Sequence, residues 1–178
     1  MKKQLIAHII NEAWQVEIMR TIYNDNLDML ATTVIPYRTY EDQQNWWKDN
    51  NKIMKAYLYE KAEQPGTYIA FLVLTDRGGF WTPIIAIKKE EWGKGLGKEI
   101  IVDYIEKANG PLAGSQLQSN SAICHLNYKN GWQIVGKVNQ PSGAIDLLYH
   151  PGINHNIPDK ELIYFKIIEY LRNKYIQE

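Results

Sequence analysis

The sequence predicts a single α/β domain, and three observations predict it. Between residues 53 and 87 three strand-type segments follow one another with no helix between them, the pattern of an antiparallel meander. The last of these ends in an apolar run, residues 84–87, followed by glycines at alternate positions (Gly93, Gly95, Gly97) and at once by a helical pattern. Beyond residue 110, short strand signals alternate with one helix and close in a hairpin. A chain of 178 residues is long enough to bury roughly 70% of its unfolded surface in one core. No repeat, low-complexity tract or interdomain linker interrupts it, so one domain over 1–178 is expected.

The elements follow in order. Residues 5–10 form a short apolar strand. Asn11 is placed to cap a helix with Trp14, Ile18 and Ile22 along one face, either running on to Met29 or ended earlier by the polar run 24–26. Pro36 breaks the chain, and Thr39 caps a second helix with Glu41 and Asp42 in its first turn. Trp46 and Trp47 are adjacent, so both cannot face the core from one helix; one of them is expected at a ligand or partner surface.

Residues 53–59 alternate as a strand, 64–66 (Gln-Pro-Gly) punctuate, and 67–75 are more apolar and hence more central. Asp76-Arg-Gly-Gly makes a hairpin turn into a third strand, 80–87. Pro83 cannot donate a ladder hydrogen bond, which predicts a bulge or a locally unpaired stretch there. From Leu96 the apolar positions 96, 100, 101, 104, 105 and 108 make a helical stripe stopped at Asn109-Gly-Pro. Residues 115–118 form a short strand, Asn120 or Ser121 caps a helix stopped by Gly131, 132–138 and 144–149 form the hairpin, and Asp159 caps a last helix.

Composition excludes several classes. Twenty basic and twenty acidic residues cancel, so no bulk attraction to nucleic acid or anionic lipid is expected, and neither is taken as a partner. No apolar run approaches about 18 residues, and the N-terminal one is broken by His8, so neither a signal peptide nor a membrane span is predicted. The single cysteine, Cys124, precludes an internal disulfide and fits a reducing, cytoplasmic setting. A homodimer is compatible with all of this.

The glycine turn carries the chemistry. Glycines remove side chains from a strand-to-helix turn, so that several backbone N–H groups converge on one anion. The helix start adds partial positive charge, and Lys94 and Lys98 add whole charges. That combination holds a phosphate or pyrophosphate.

Two segments resemble the GNAT superfamily of N-acetyltransferases. Residues 87–97, with Trp92, Gly95 and Gly97 in register, are similar to that family's acetyl-CoA pyrophosphate loop, Trp92 standing where Arg or Gln is usual. Residues 120–132, with Asn120, Leu126, Gly131 and Trp132 in register and Ala122 shifted by one, are similar to its downstream helix. The resemblance covers about 5–150 and implies a mixed, largely antiparallel sheet flanked by helices. The helix at about 159–176 lies outside it as an addition.

It further implies acetyl-CoA as co-substrate and no metal. Backbone groups of Ile85, Ala86 and Ile87 would pair with the pantetheine arm. Amides of Gly93, Lys94, Gly95, Leu96, Gly97 and Lys98, beside Trp92, would hold the pyrophosphate, and Asn120 would bond the pantetheine. In many relatives a tyrosine seven residues after that asparagine protonates the departing thiolate. Here that place is Asn127, with Tyr128 next to it but about 100° round the helix. Asn127 can offer the sulfur a hydrogen bond but not a proton, Tyr128 can stand in only with a shift of the helix, and water is the remaining source of the proton.

Glu91, or Glu90 beside it, is a candidate base, with solvated charge as the plainer reading. Tyr37, Arg38 and Tyr40 precede the second helix, where the resemblance puts the acceptor pocket. His125 reads as a surface or capping residue and Cys124 as a small buried hydrophobe. His150, His155 and Asp146 form no metal spacing and read as loop residues. The expected activity is acetyl transfer to the primary amine of a sugar, small metabolite or protein. A non-catalytic acyl-CoA-binding module and, less well supported because no Gly-Lys-Ser/Thr follows, a nucleotide-phosphate binder are the alternatives.

Overall fold

The meander forms as expected: β2 (Met54–Lys61), β3 (Tyr68–Asp76) and β4 (Trp81–Ile87) pair antiparallel in sequence order. The computed structural model describes residues 4–30, 37–154, 156–157 and 159–176. Pro36 and His155 lie outside the described residues. β1 (Leu5–Ile9) adds to the β2 edge, while β5 (Leu112–Leu117), β6 (Gln133–Gln140) and β7 (Gly143–His150) form the other half. The seven-stranded order is β1-β2-β3-β4-β5-β7-β6. Among the described residues only β4 and β5 run parallel, because α3 (Leu96–Ala108) crosses over between them. No helix among the described residues is long and apolar enough to cross a membrane.

Helices divide between the two faces according to where the apolar side chains alternate. α3 buries Leu96, Ile100, Ile101, Tyr104, Ile105 and Ala108, the stripe its spacing predicts, against Leu72, Leu74, Leu112 and Leu148. α4 (Ser121–Lys129) joins it there through Ile123 and Leu126. α1 (Ala13–Asp25) covers the opposite face of the first half-sheet with α2 (Tyr40–Asn50), and α5 (Lys160–Tyr175) covers that same face of the second half with Ile167, Leu171 and Tyr175.

Several sequence expectations are corrected. The cap of α1 is Glu12, not Asn11, and Gln15 Oε1 accepts from both of their N–H groups (2.8 and 3.0 Å). Its buried stripe is Val16, Met19, Ile22 and Tyr23, leaving Trp14 exposed. Trp46 and Trp47 both pack, half-buried, at the rim of the α1 cluster, so one helix does bring both against it. β5 begins at Leu112, three residues before the predicted start, its opening residues paired with the end of β7. Asp159 occupies the N-cap of α5 with φ 55° and makes no side-chain cap. Asp146 and His150 lie on β7 and are buried, not in loops. Thr39 caps α2 as expected, with Asp42 completing the reciprocal bonds.

Candidate functional site

The sheet splits between β4 and β5. Their only register pair among the described residues is Trp81↔Leu112. Trp81 N–H donates to Pro111 C=O (2.9 Å), whereas Lys88 N–H donates to Ile69 C=O on the β3 side (2.8 Å). Backbone groups of an extended strand alternate in direction, so residues 83, 85 and 87 point at β5. Gln118 N–H donates to Ala144 C=O on the β7 side (2.9 Å), so residues 113, 115 and 117 of β5 point back at β4. Two strand edges thus face each other across a gap inside the sheet.

Pro83 sits on the open edge, where no N–H is needed. Its register with β3 is regular (Leu74↔Pro83), so of the two expectations the unpaired stretch is correct and the bulge is not. The same alternation corrects a second expectation. Ala86 pairs with Phe71 and turns its backbone toward β3, leaving Ile85 and Ile87 to line the split. Ile87 C=O accepts from the indole Nε1 of Trp92 (2.9 Å), an exposed ring at the mouth.

The glycine turn stands at that mouth. Gly93 and Gly95 have φ of 76° and 81°, backbone that a residue with a Cβ adopts only at a cost, and added Cβ atoms there would meet nothing within 4 Å. Gly95 is the N-cap of α3 and provides no side-chain acceptor, so the first amides of the helix face outward unsatisfied by a cap. Gly97 has a different reason. A Cβ there would lie 3.1 Å from Leu126 Cδ1 and 3.7 Å from Ile87 Cδ1, so it is the contact that lets α3 and α4 close over the split.

Glu91 is bound by Lys61 (2.8 Å) and Lys94 (3.1 Å), and Lys61 first, with Lys94, holds its carboxyl below the usual carboxylate range. These residues line a cavity of about 420 Å³ with Gln4 and Leu96. Lys98 is exposed on the first turn of α3.

On α4, Asn120 Oδ1 accepts from Ile123 N–H (3.3 Å) and so caps the helix. Asn127 is buried and gives its Nδ2 to Gln116 Oε1 (2.8 Å). Tyr128 donates to Asp146 Oδ2 (2.8 Å) and accepts from Gln116 Nε2 (2.9 Å). Partial desolvation, then the hydrogen bond to the Asp146 carboxylate, pushes the Tyr128 phenol up to about 12. Burial would raise Asp146, but donors from Gln116, Tyr128 and Gln118 outweigh it and hold its carboxyl low. This network was not foreseen. The readable sign was an aspartate inside the apolar run 144–149, which a buried strand tolerates only with donors around it.

His125 is exposed, as expected, and Cys124 is buried with its thiol pushed up by burial and then by Asp146. On the acceptor side, Tyr37 and Tyr40 are exposed. The Arg38 guanidinium stacks between Tyr23 (4.2 Å) and Trp46 (4.8 Å) and donates to Gln43 Oε1 (2.9 Å). Its backbone is bonded on both sides to Asn24, so it anchors the chain ahead of α2.

No protein-family model matches the sequence, and no curated protein matches it. Solved structures do resemble the fold. A protein assigned as a phosphinothricin N-acetyltransferase aligns over 83% of this chain and 98% of its own at TM-score 0.71 and 19% identity. Spermidine N-acetyltransferase from Vibrio cholerae, in complex with CoA and spermine, aligns over 84% and 96% at 0.71 and 14%. YncA from Salmonella typhimurium, an assigned acetyltransferase with acetyl-CoA, aligns over 88% and 99% at 0.72 and 14%. At these identities the likeness establishes the fold: the chain is built as GNAT-type N-acetyltransferases are built.

Proposed function

We propose that this protein transfers an acetyl group from acetyl-CoA to a primary amine. One observation carries the reading: a gap between two strand edges within the sheet leads straight to an uncapped helix N-terminus flanked by lysines. An extended molecule with amides along it and a pyrophosphate at one end matches both halves. Its arm would pair with Ile85 and Ile87, and its pyrophosphate would take the amides of residues 93–98 with Lys94 and Lys98. Trp92, held to Ile87, would border the arm, and Asn120 would present its free amide end to it.

The amine nitrogen then attacks the thioester carbonyl directly, with the strand edges fixing the carbonyl in place. Glu91 is given a positioning role, because two lysines stabilise its charged form and weaken it as a base. Tyr128 is likewise assigned to the Asp146 network, since its proton is already donated. Solvent is the base that remains for the amine. The acceptor class is a small amine, reached from the side of Tyr37, Arg38 and Tyr40.

The deciding experiment is calorimetric titration with acetyl-CoA, paired with thiol release in the presence of amines. Lys94→Gln with Lys98→Gln should weaken binding about tenfold at low salt, with only a small Tm change from the lost Lys94–Glu91 pair. Unchanged affinity would sink the assignment. Tight binding with no thiol released for any amine would favour the acyl-CoA-binding module.

A further inference from the structure

On the α4 side of the split, Asn127 has no acidic proton and Tyr128 already donates its own to Asp146. The opposite face has one. Counting up from Trp81↔Leu112 brings Ile84 level with Ser115 across the split. Side chains of even β4 residues and odd β5 residues share the face on which α5 packs, as Phe80, Ala113 and Leu117 show by lying in its cluster. Ile84 is 36% exposed, high for the middle of an interior strand, so it floors a cleft open to solvent. Beside it, Ser115 Oγ lies 2.6 Å from the hydroxyl of Tyr175. Tyr175 is the last residue of α5, its ring buried with Leu117 and Leu171 and its C=O accepting from Gln140 Nε2 (2.7 Å).

We propose that Ser115 and Tyr175 together protonate the sulfur that leaves acetyl-CoA, Ser115 as the group that touches it and Tyr175 as the donor behind. This rests on the acetyl-transfer reading. The arm enters from the glycine-turn end and cannot pass the closure at Trp81↔Leu112, so its reactive end lies near the level of Ile84 and Ser115. The amine nitrogen bonds to the carbonyl carbon and the C–S bond breaks with its electron pair on sulfur. The Ser115 proton passes to sulfur as the Tyr175 proton passes to Ser115 Oγ. The phenolate regains a proton from solvent, balancing the one the amine nitrogen sheds there. The C-terminal helix, an addition to the segment that carries the family resemblance, thereby takes part in the chemistry.

The test uses the full chain, acetyl-CoA and hydroxylamine as the probe amine, following thiol release. Tyr175→Phe keeps the ring and should lower kcat about 100-fold, the scale of general acid catalysis. KM for acetyl-CoA and calorimetric CoA affinity should stay within about twofold, so that the loss falls on kcat alone. Ser115→Ala should match it, and the double variant should be no worse than either single one, as groups acting in one relay behave. A Tyr175→Phe enzyme within about threefold of native kcat, or one whose KM for acetyl-CoA rises as kcat falls, overturns the proposal while leaving acetyl transfer intact. Native protein that binds acetyl-CoA but releases no thiol overturns the relay and spares the binding site. Native protein that binds no acetyl-CoA overturns the functional reading itself.

Discussion

Glu91 shows how a single residue changes meaning once its neighbours are known. In the sequence it is an acid next to a glycine turn, open to a reading as base; in the fold it lies between Lys61 and Lys94. Glu91→Gln should therefore leave kcat within a few-fold, where loss of a true base would cost about 10²–10⁴. It should also tighten acetyl-CoA binding by freeing Lys94, an effect that fades in calorimetry at high salt. Tyr128→Phe removes one of three donors to a buried carboxylate and should cost about 1–3 kcal/mol in urea unfolding. Of the site residues, the glycines were legible because only backbone geometry is asked of them. Gln116 and Asp146 were not, because their roles depend on partners 30 residues apart that only sheet pairing brings together.

Among the elements, α4 is held at its C-terminal end by one histidine. His150 Nε2 is 2.9 Å from Asn130 C=O, and Nδ1 accepts from Gly152 N–H (2.9 Å), so the neutral ring satisfies both. Burial lowers its pKa below the ordinary 6.5. A group whose folded pKa is depressed binds its proton more readily when unfolded, so its stabilisation is complete above pH 6.5 and is lost as pH falls from there through the folded value. Urea midpoints at pH 7.5 and 5.5 should fall more for the native chain than for His150→Gln. An equal fall would show that the ring is not the sensor. Gly152, beside it, has φ 78° and would put a Cβ 2.3 Å from Gly110 O, so Gly152→Ala should cost at least about 2 kcal/mol. Element order and the α3 stripe could be read in advance, since 3.6- and 2-residue periods are local. The start of β5 could not, because its pairing with β7 decides it.

The whole molecule is two half-sheets joined through the short parallel contact at Trp81↔Leu112. A ligand lying in the split pairs with both, so it should stabilise the fold globally. At 100 times Kd, acetyl-CoA should add about 2.7 kcal/mol and raise the Tm by roughly 5–10 °C. Hydrogen-exchange protection should rise most in 84–87 and 113–117. Protection confined to the glycine turn would argue that only the pyrophosphate end is bound.

Local sequence was enough to determine the strand and helix order, the stripe of α3 and the glycine turn on which the proposed phosphate site is built. Each depends on periodicity or backbone freedom within a few residues. The tertiary structure decided which backbone edges stay open, that Glu91 and Tyr128 are already engaged, and that Tyr175 reaches Ser115 from 60 residues away. Those are facts of register and packing between distant segments, and no local pattern encodes them.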